Sequence, residues 1–159
     1  MHLIFDPSVY TFSWYAVPLL IDGLIVLSIG LFVLKQNLKS ISHVTFFLLC
    51  LAVATWLFGY GWIYLVNRAD LALAIYRYFT LLGVCFIGVN VYAFSVVWLD
   101  LWEMQKRFVQ ASIFLGWLFY GVAVTTNRIV PSVWRYYWGF YSRYDFLGGL
   151  LFACFVLWF

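Results

Sequence analysis

Apolar residues in this chain come in long, nearly unbroken runs, and polar residues collect in the short stretches between them. A helix needs about 20 predominantly apolar residues to cross the roughly 30 Å hydrocarbon layer of a bilayer. Residues 14–34 make one such run, interrupted only by Asp22; residues 44–66 make a second, free of Asp, Glu, Lys, Arg and His. Residues 75–99 make a third, with Arg77 near its start, and residues 108–126 a fourth of 19 residues. The pattern predicts an all-α, polytopic transmembrane helix bundle with four full spans, and places all of 1–159 in one membrane-embedded region.

A fifth apolar run begins at residue 146 and stops after 14 residues on Val156–Leu157–Trp158–Phe159. At a rise of 1.5 Å per residue it reaches about 21 Å, too short to cross. A short or re-entrant helix is one reading. A truncated span, cut inside a longer membrane protein, is the one expected here, because neither a loop nor a charge follows it.

Composition changes the picture from "some membrane helices" to "membrane throughout". Hydrophobic residues make up 67% of the chain, charged ones 9%, and the mean hydropathy is +0.99. A soluble domain carries roughly 25% charged residues, so this chain cannot cover a water-facing surface. A soluble enzyme, a disordered tail and a nucleic-acid-binding module are excluded. The net charge of +3 is too thinly spread to suggest a phosphate-bearing partner.

Charge placement sets the expected direction. No Lys or Arg precedes the first run, whereas Lys35 and Lys39 follow it. With the first helix dominant, the N-terminus lies outside, and Lys106 and Arg107 fall inside. Against that direction, Arg68, Arg77, Arg128, Arg135 and Arg143 collect on the outer side. The start lacks a basic leader segment and a small-residue cleavage site, and so reads as a short outer segment rather than a signal peptide.

Candidate chemistry is sparse. Cys50, Cys85 and Cys154 sit inside apolar runs without any C-x-x-C spacing, and such thiols act as small hydrophobes. His2 and His43 lie outside the apolar centres, so no haem, zinc or di-iron set is expected and no cofactor is assigned. Asp100 and Glu103 stand at a water-exposed helix end, where capping or pairing with Lys106 and Arg107 is the usual role. No phosphate loop, nucleophile elbow or zinc-binding helix motif occurs.

Three features remain. Asp22 lies near mid-membrane, where a carboxylate costs about 2.5–3.5 kcal/mol and therefore faces a partner or a wet cavity. It is either a titrating or ligand-binding group or a protonated side chain bonding a neighbouring helix. Asn90, at matching depth in the third span, is the expected partner, with Thr55 and Thr80 as others. Gly59, Gly61, Gly83, Gly88, Gly116 and Gly121 provide small faces for helix contact, with a ligand crevice as the other reading. Residues 128–145 hold seven aromatics among 18 positions, including Trp134, Tyr137, Trp138 and Tyr141, interleaved with three arginines. They form either an interfacial belt or an outer binding lid.

Several segments recur here in a particular order. The second run reads Ala52–Val53–Ala54–Thr55–Trp56–Leu57–Phe58–Gly59–Tyr60; the third opens on Tyr76–Arg77–Tyr78, continues through Leu82–Gly83 and closes on aromatics around Phe94. The fourth ends in Thr125–Thr126–Asn127, and the following loop carries Tyr137–Trp138–Gly139–Phe140–Tyr141. Together, from about Trp14 to the last residue, they resemble the N-terminal seven-transmembrane input region of bacterial sensor histidine kinases, also found on some diguanylate cyclases. The resemblance implies a sensory domain in a bacterial inner membrane, acting in two-component signalling. It further implies a cytoplasmic kinase or cyclase output in cis, lacking from this chain, and a homodimer. The chain departs from the pattern at Gly88–Val89–Asn90, where relatives often place a proline. The family supplies no pocket to transfer, so Asp22, Asn90, Trp134, Tyr137, Trp138 and Tyr141 stand as ligand-binding candidates from the residues alone, with no catalytic residue. Half of a secondary transporter or channel, built on Asp22 and Asn90, and a structural subunit of a membrane complex are the alternative functions.

Overall fold

The computed structural model describes residues 6–126 and 128–156. Helix α1 spans Ala16–Gln36, α2 Ile41–Tyr64, α3 Ala69–Trp98 and α4 Trp102–Thr125, and all four are long and apolar enough to cross a membrane. A two-stranded antiparallel hairpin, β1 Ser132–Tyr136 and β2 Gly139–Arg143, then leads into α5, Phe146–Val156. The architecture is an all-α bundle with one small hairpin at its end. Residues 1–5, 127 and 157–159, which include the end of the fifth apolar run and part of the Thr125–Asn127 motif, lie outside the described residues.

Helices α3 and α4 each begin about a turn and a half before the runs that announce them. Hydropathy marks where a helix enters lipid, not where its backbone hydrogen bonds start. The first turn of α3 carries Asp70 and that of α4 carries Glu103, acids that suit a helix N-terminus. Glu103 also pairs with Lys106 one turn on, at 2.7 Å, as expected of a water-facing helix end.

In lipid, apolar surface gives no net drive for helix association, so contact relies on close packing of small residues. Glycines form these seams. Gly23 and Gly30 of α1 face Phe58 and Cys50 of α2; a Cβ on Gly23 would meet the Phe58 ring at 2.8 Å. A Cβ on Gly59 of α2 would lie 2.8 Å from Thr80 Cα, and one on Gly83 of α3 would lie 2.6 Å from Ala52 O. Helix α2 therefore stands between α1 and α3 and packs on both. Gly116 seats α4 against Val89 and Phe86, whereas Gly121 meets nothing within 4 Å and Gly88 lines a cavity.

The main core sits at the hairpin end of the bundle. Ile63, Val66, Leu71, Ile75, Tyr76, Leu81, Ile129, Val130 and Phe140 are buried together there. The N-terminal segment closes over this end: Tyr10 bridges Val66, Thr11 N–H donates to Leu65 O at 2.7 Å, and Asn67 N–H donates to Val9 O at 2.9 Å. Asp6 caps the preceding short 3-10 turn by accepting from Ser8 N–H at 2.9 Å, a bond that holds its carboxyl below the usual carboxylate range.

Candidate functional site

The hairpin is a built element rather than a bare loop. Its turn residues Tyr137 and Trp138 keep ordinary negative φ, while Gly139 at φ 142° redirects the chain and lets the backbone lie against the Tyr64 ring. Only glycine takes that conformation without strain. Side chains alternate across a strand, and in β2 this sends Phe140 and Ser142 inward. The Arg77 guanidinium, reaching up from α3, donates to Val130 O just before β1, at 3.0 Å from Nε. Arg77 lies in a π-helical turn, Tyr76–Thr80, that interrupts α3; such turns are rare and recur at functional sites.

The same turn carries Tyr76 into a cluster of hydroxyls. Tyr76 and Tyr144 share a short hydrogen bond, and Tyr60 pairs with Ser142 at 3.4 Å. Tyr60 packs its ring edge-on to Tyr76 at 5.9 Å and stacks on Tyr141 at 5.6 Å. Burial pushes the Tyr144 phenol above its usual 10.0, against the lowering effect of hydrogen bonds with Tyr76 and Ser142. Residues from α2, α3, β2 and the β2–α5 connection thus meet through polar groups at the head of an otherwise apolar bundle.

Below the cluster lies a cavity of about 690 Å³. Its floor is one face of α3: Val84, Ile87, Gly88, Val91, Tyr92 and Ser95, spaced three or four apart as a helical stripe requires. Trp56 and Tyr60 of α2 wall one side, Phe152 and Phe155 of α5 the other, and Tyr141 and Tyr144 close the head. Among the described residues, no Asp, Glu, Lys, Arg or His lines it. Helix α5 is held in place where Phe155 stacks on Phe119 of α4 at 4.7 Å.

Of the residues proposed from sequence, Tyr141 lines this cavity. Trp134, the cross-strand partner of Tyr141, is half exposed and lies under the Arg143 guanidinium at 5.0 Å, away from the cavity lining. Tyr137 and Trp138 form the turn; Tyr137 is 82% exposed and meets Tyr15 edge-on at 5.8 Å. The expected pairing of Asp22 with Asn90 does not form. Asn90 Nδ2 donates to Leu48 O of α2 at 3.0 Å and lines a separate groove with Thr55 and Trp117. Gly23 faces α2, and one step along a helix turns the side chain by about 100°, so Asp22 is carried to the exposed face of α1. Thr55 bonds Leu51 O of its own helix at 2.8 Å, and Thr80 is fully buried against Gly59 with its hydroxyl unbonded. Gly23, beside Asp22, meets Phe58 of α2, whereas Asn90 bonds Leu48 ten residues away on the same helix, so Asp22 and Asn90 differ in depth by about 15 Å as well as in rotational phase.

Sequence pattern alone does not mark Tyr60, Tyr76, Ser142 and Tyr144 as a site. A signal did exist for the two helical tyrosines. Buried Tyr hydroxyls need partners, and both stand within apolar runs, in Gly59–Tyr60–Gly61 and Tyr76–Arg77. No protein-family model, no curated protein and no solved structure matches this chain, so its site is read from geometry alone.

Proposed function

We propose that this chain is the membrane-embedded sensory region of a signalling protein of the histidine kinase type, in a bacterial inner membrane with its N-terminus outside. In this reading the hairpin end receives the stimulus, and the opposite end, with Lys35, Lys39, Lys106 and Arg107, faces a cytoplasmic kinase or cyclase in cis. The observation that carries the reading is the hydroxyl cluster. Tyr144 and Ser142 of the hairpin region bond Tyr76 of α3 and Tyr60 of α2, at the head of a cavity that contacts all these elements. A stimulus that alters these bonds changes how α2 and α3 sit, and a bundle with two such arrangements transmits it.

The test is to read the gene beyond the Phe159 codon and assay its full product in membrane vesicles for ATP-dependent autophosphorylation or cyclic-dinucleotide synthesis. Further spans, an output domain, and a change of roughly fivefold or more in output on Tyr144→Phe are expected. A product with neither activity would overturn the proposal.

A further inference from the structure

We infer that the cavity between α2, α3, the hairpin and α5 binds an elongated, neutral, largely apolar molecule bearing a carbonyl-type hydrogen-bond acceptor at one end. Its role as a stimulus rests on the sensory reading above; its chemistry rests on the cavity alone. The α3 stripe from Val84 to Ser95 covers 11 steps along the helix, a slot of roughly 16 Å. Its walls are aromatic and aliphatic, which suits a chain or flat ring rather than a sugar or peptide. With no charged residue lining it among those described, an anionic or cationic ligand lacks a counter-charge, and burying an unpaired ion is costly.

The head of the cavity specifies the polar end. Two hydroxyls sharing one hydrogen bond use one of their two hydrogens. Tyr60, Tyr76, Ser142 and Tyr144 bond one another, and the Tyr141 hydroxyl beside them adds a fifth hydrogen, so an O–H donor stays in reserve where Tyr60, Tyr141 and Tyr144 line the space. No backbone N–H or cationic side chain competes for the acceptor among the hydrogen bonds formed there. A ketone or quinone oxygen completes this arrangement; a hydrocarbon leaves it unused.

The probe is 2-tridecanone carrying a mid-chain diazirine, photolysed with the whole chain in lipid nanodiscs and mapped by mass spectrometry. Saturable labelling of the α3 stripe and of the Phe152–Phe155 turn is expected. Unlabelled 2-tridecanone should compete about tenfold better than dodecanoate or dodecyltrimethylammonium below their micellar limits. Tyr144→Phe should weaken labelling, and Val91→Trp, which fills the slot from a half-exposed position away from the hydroxyls, should abolish it. Probe dissolved in the lipid beforehand and probe supplied from water on cyclodextrin separate a bilayer-borne ligand from one captured outside; labelling by either route supports the assignment. Equal competition by the charged analogues, or labelling spread evenly over the exposed α1 residues Ile21, Ile25 and Phe32, overturns it. So does unsaturable labelling, the result expected if another helix fills the cavity. Output that responds to Tyr144→Phe without saturable labelling removes this ligand and leaves the sensory reading; saturable labelling of a protein with no output does the reverse.

Discussion

The Tyr76 hydroxyl, in the π-helical turn of α3, meets the Tyr144 hydroxyl at the end of the hairpin, 68 positions further along the chain. One hydrogen bond thus ties a helix long and apolar enough to cross a membrane to the hairpin region at its end. Removing one partner leaves the other hydroxyl buried and unpaired, which costs about 1–3 kcal/mol, whereas removing both is nearly neutral. Tyr76→Phe and Tyr144→Phe should each lower the melting temperature in detergent, and the double variant should fall less than their sum. Strict additivity in that double-mutant cycle would show that the two hydroxyls are not coupled.

The Tyr144 phenol sits above its usual 10.0 because it is buried. The folded protein therefore keeps a proton that the unfolded chain releases, and the stability this contributes is intact below about pH 10 and is lost as pH rises from there through the folded value. Trypsin cleavage at Arg135 and Arg143 should accelerate above pH 10 in the wild type relative to Tyr144→Phe. An identical alkaline response in both would place the titrating group elsewhere.

Gly59 and Gly83 set the spacing of α2 and α3, since a side chain at Gly59 would press on both the hydroxyl and the Cα of Thr80, and one at Gly83 on the backbone of Ala52 and Trp56. Gly59→Val and Gly83→Val should each destabilise by about 1–3 kcal/mol or more, the usual cost of overpacking. Gly121→Ala, with nothing within 4 Å, should be neutral or gain up to about 1 kcal/mol in helix propensity. Thermal melts of the three variants side by side decide it.

Arg77 joins the membrane helix to the chain entering the hairpin through Val130 O. A hydrogen bond from a charged donor contributes about 1.5–3 kcal/mol. Arg77→Met should therefore raise amide exchange through Ile129–Phe140 while leaving α1 unaffected. Uniform exchange throughout the bundle would mean that the contact is not local in its effect.

Asp22 faces outward from α1, and among the described residues it has no hydrogen-bond or ion-pair partner. Its replacement by leucine removes an insertion cost of up to about 2.5–3.5 kcal/mol, the value at a helix centre. Asp22→Leu should insert at least as well as wild type and leave labelling of the α3 cavity unchanged. Loss of insertion or of labelling would assign the carboxylate a partner across α1.

The spans were legible from sequence because hydropathy is a local property and a bilayer demands that every backbone polar group be satisfied within the helix. The water-facing ends of α3 and α4, the small-residue seams at Gly59 and Gly83, and the Glu103–Lys106 pair follow from residue types at short range. The rotational phase of each helix does not. An amphipathic helix in water announces its inner face, but α1, α2 and α3 are apolar all round, and lipid and neighbouring helices attract the same side chains. Sequence alone placed Asp22 and Asn90 at one depth and left open which way each turns, whereas packing sets them level with α2 positions ten residues apart, at Phe58 and Leu48. Tertiary packing decided that glycines turn toward α2, that Asp22 turns away, and that Tyr60, Tyr76, Ser142 and Tyr144 converge from positions spread over 85 residues. Such long-range hydroxyl contacts leave no periodic trace in the chain, because they arise only once the hairpin folds back onto the helix ends.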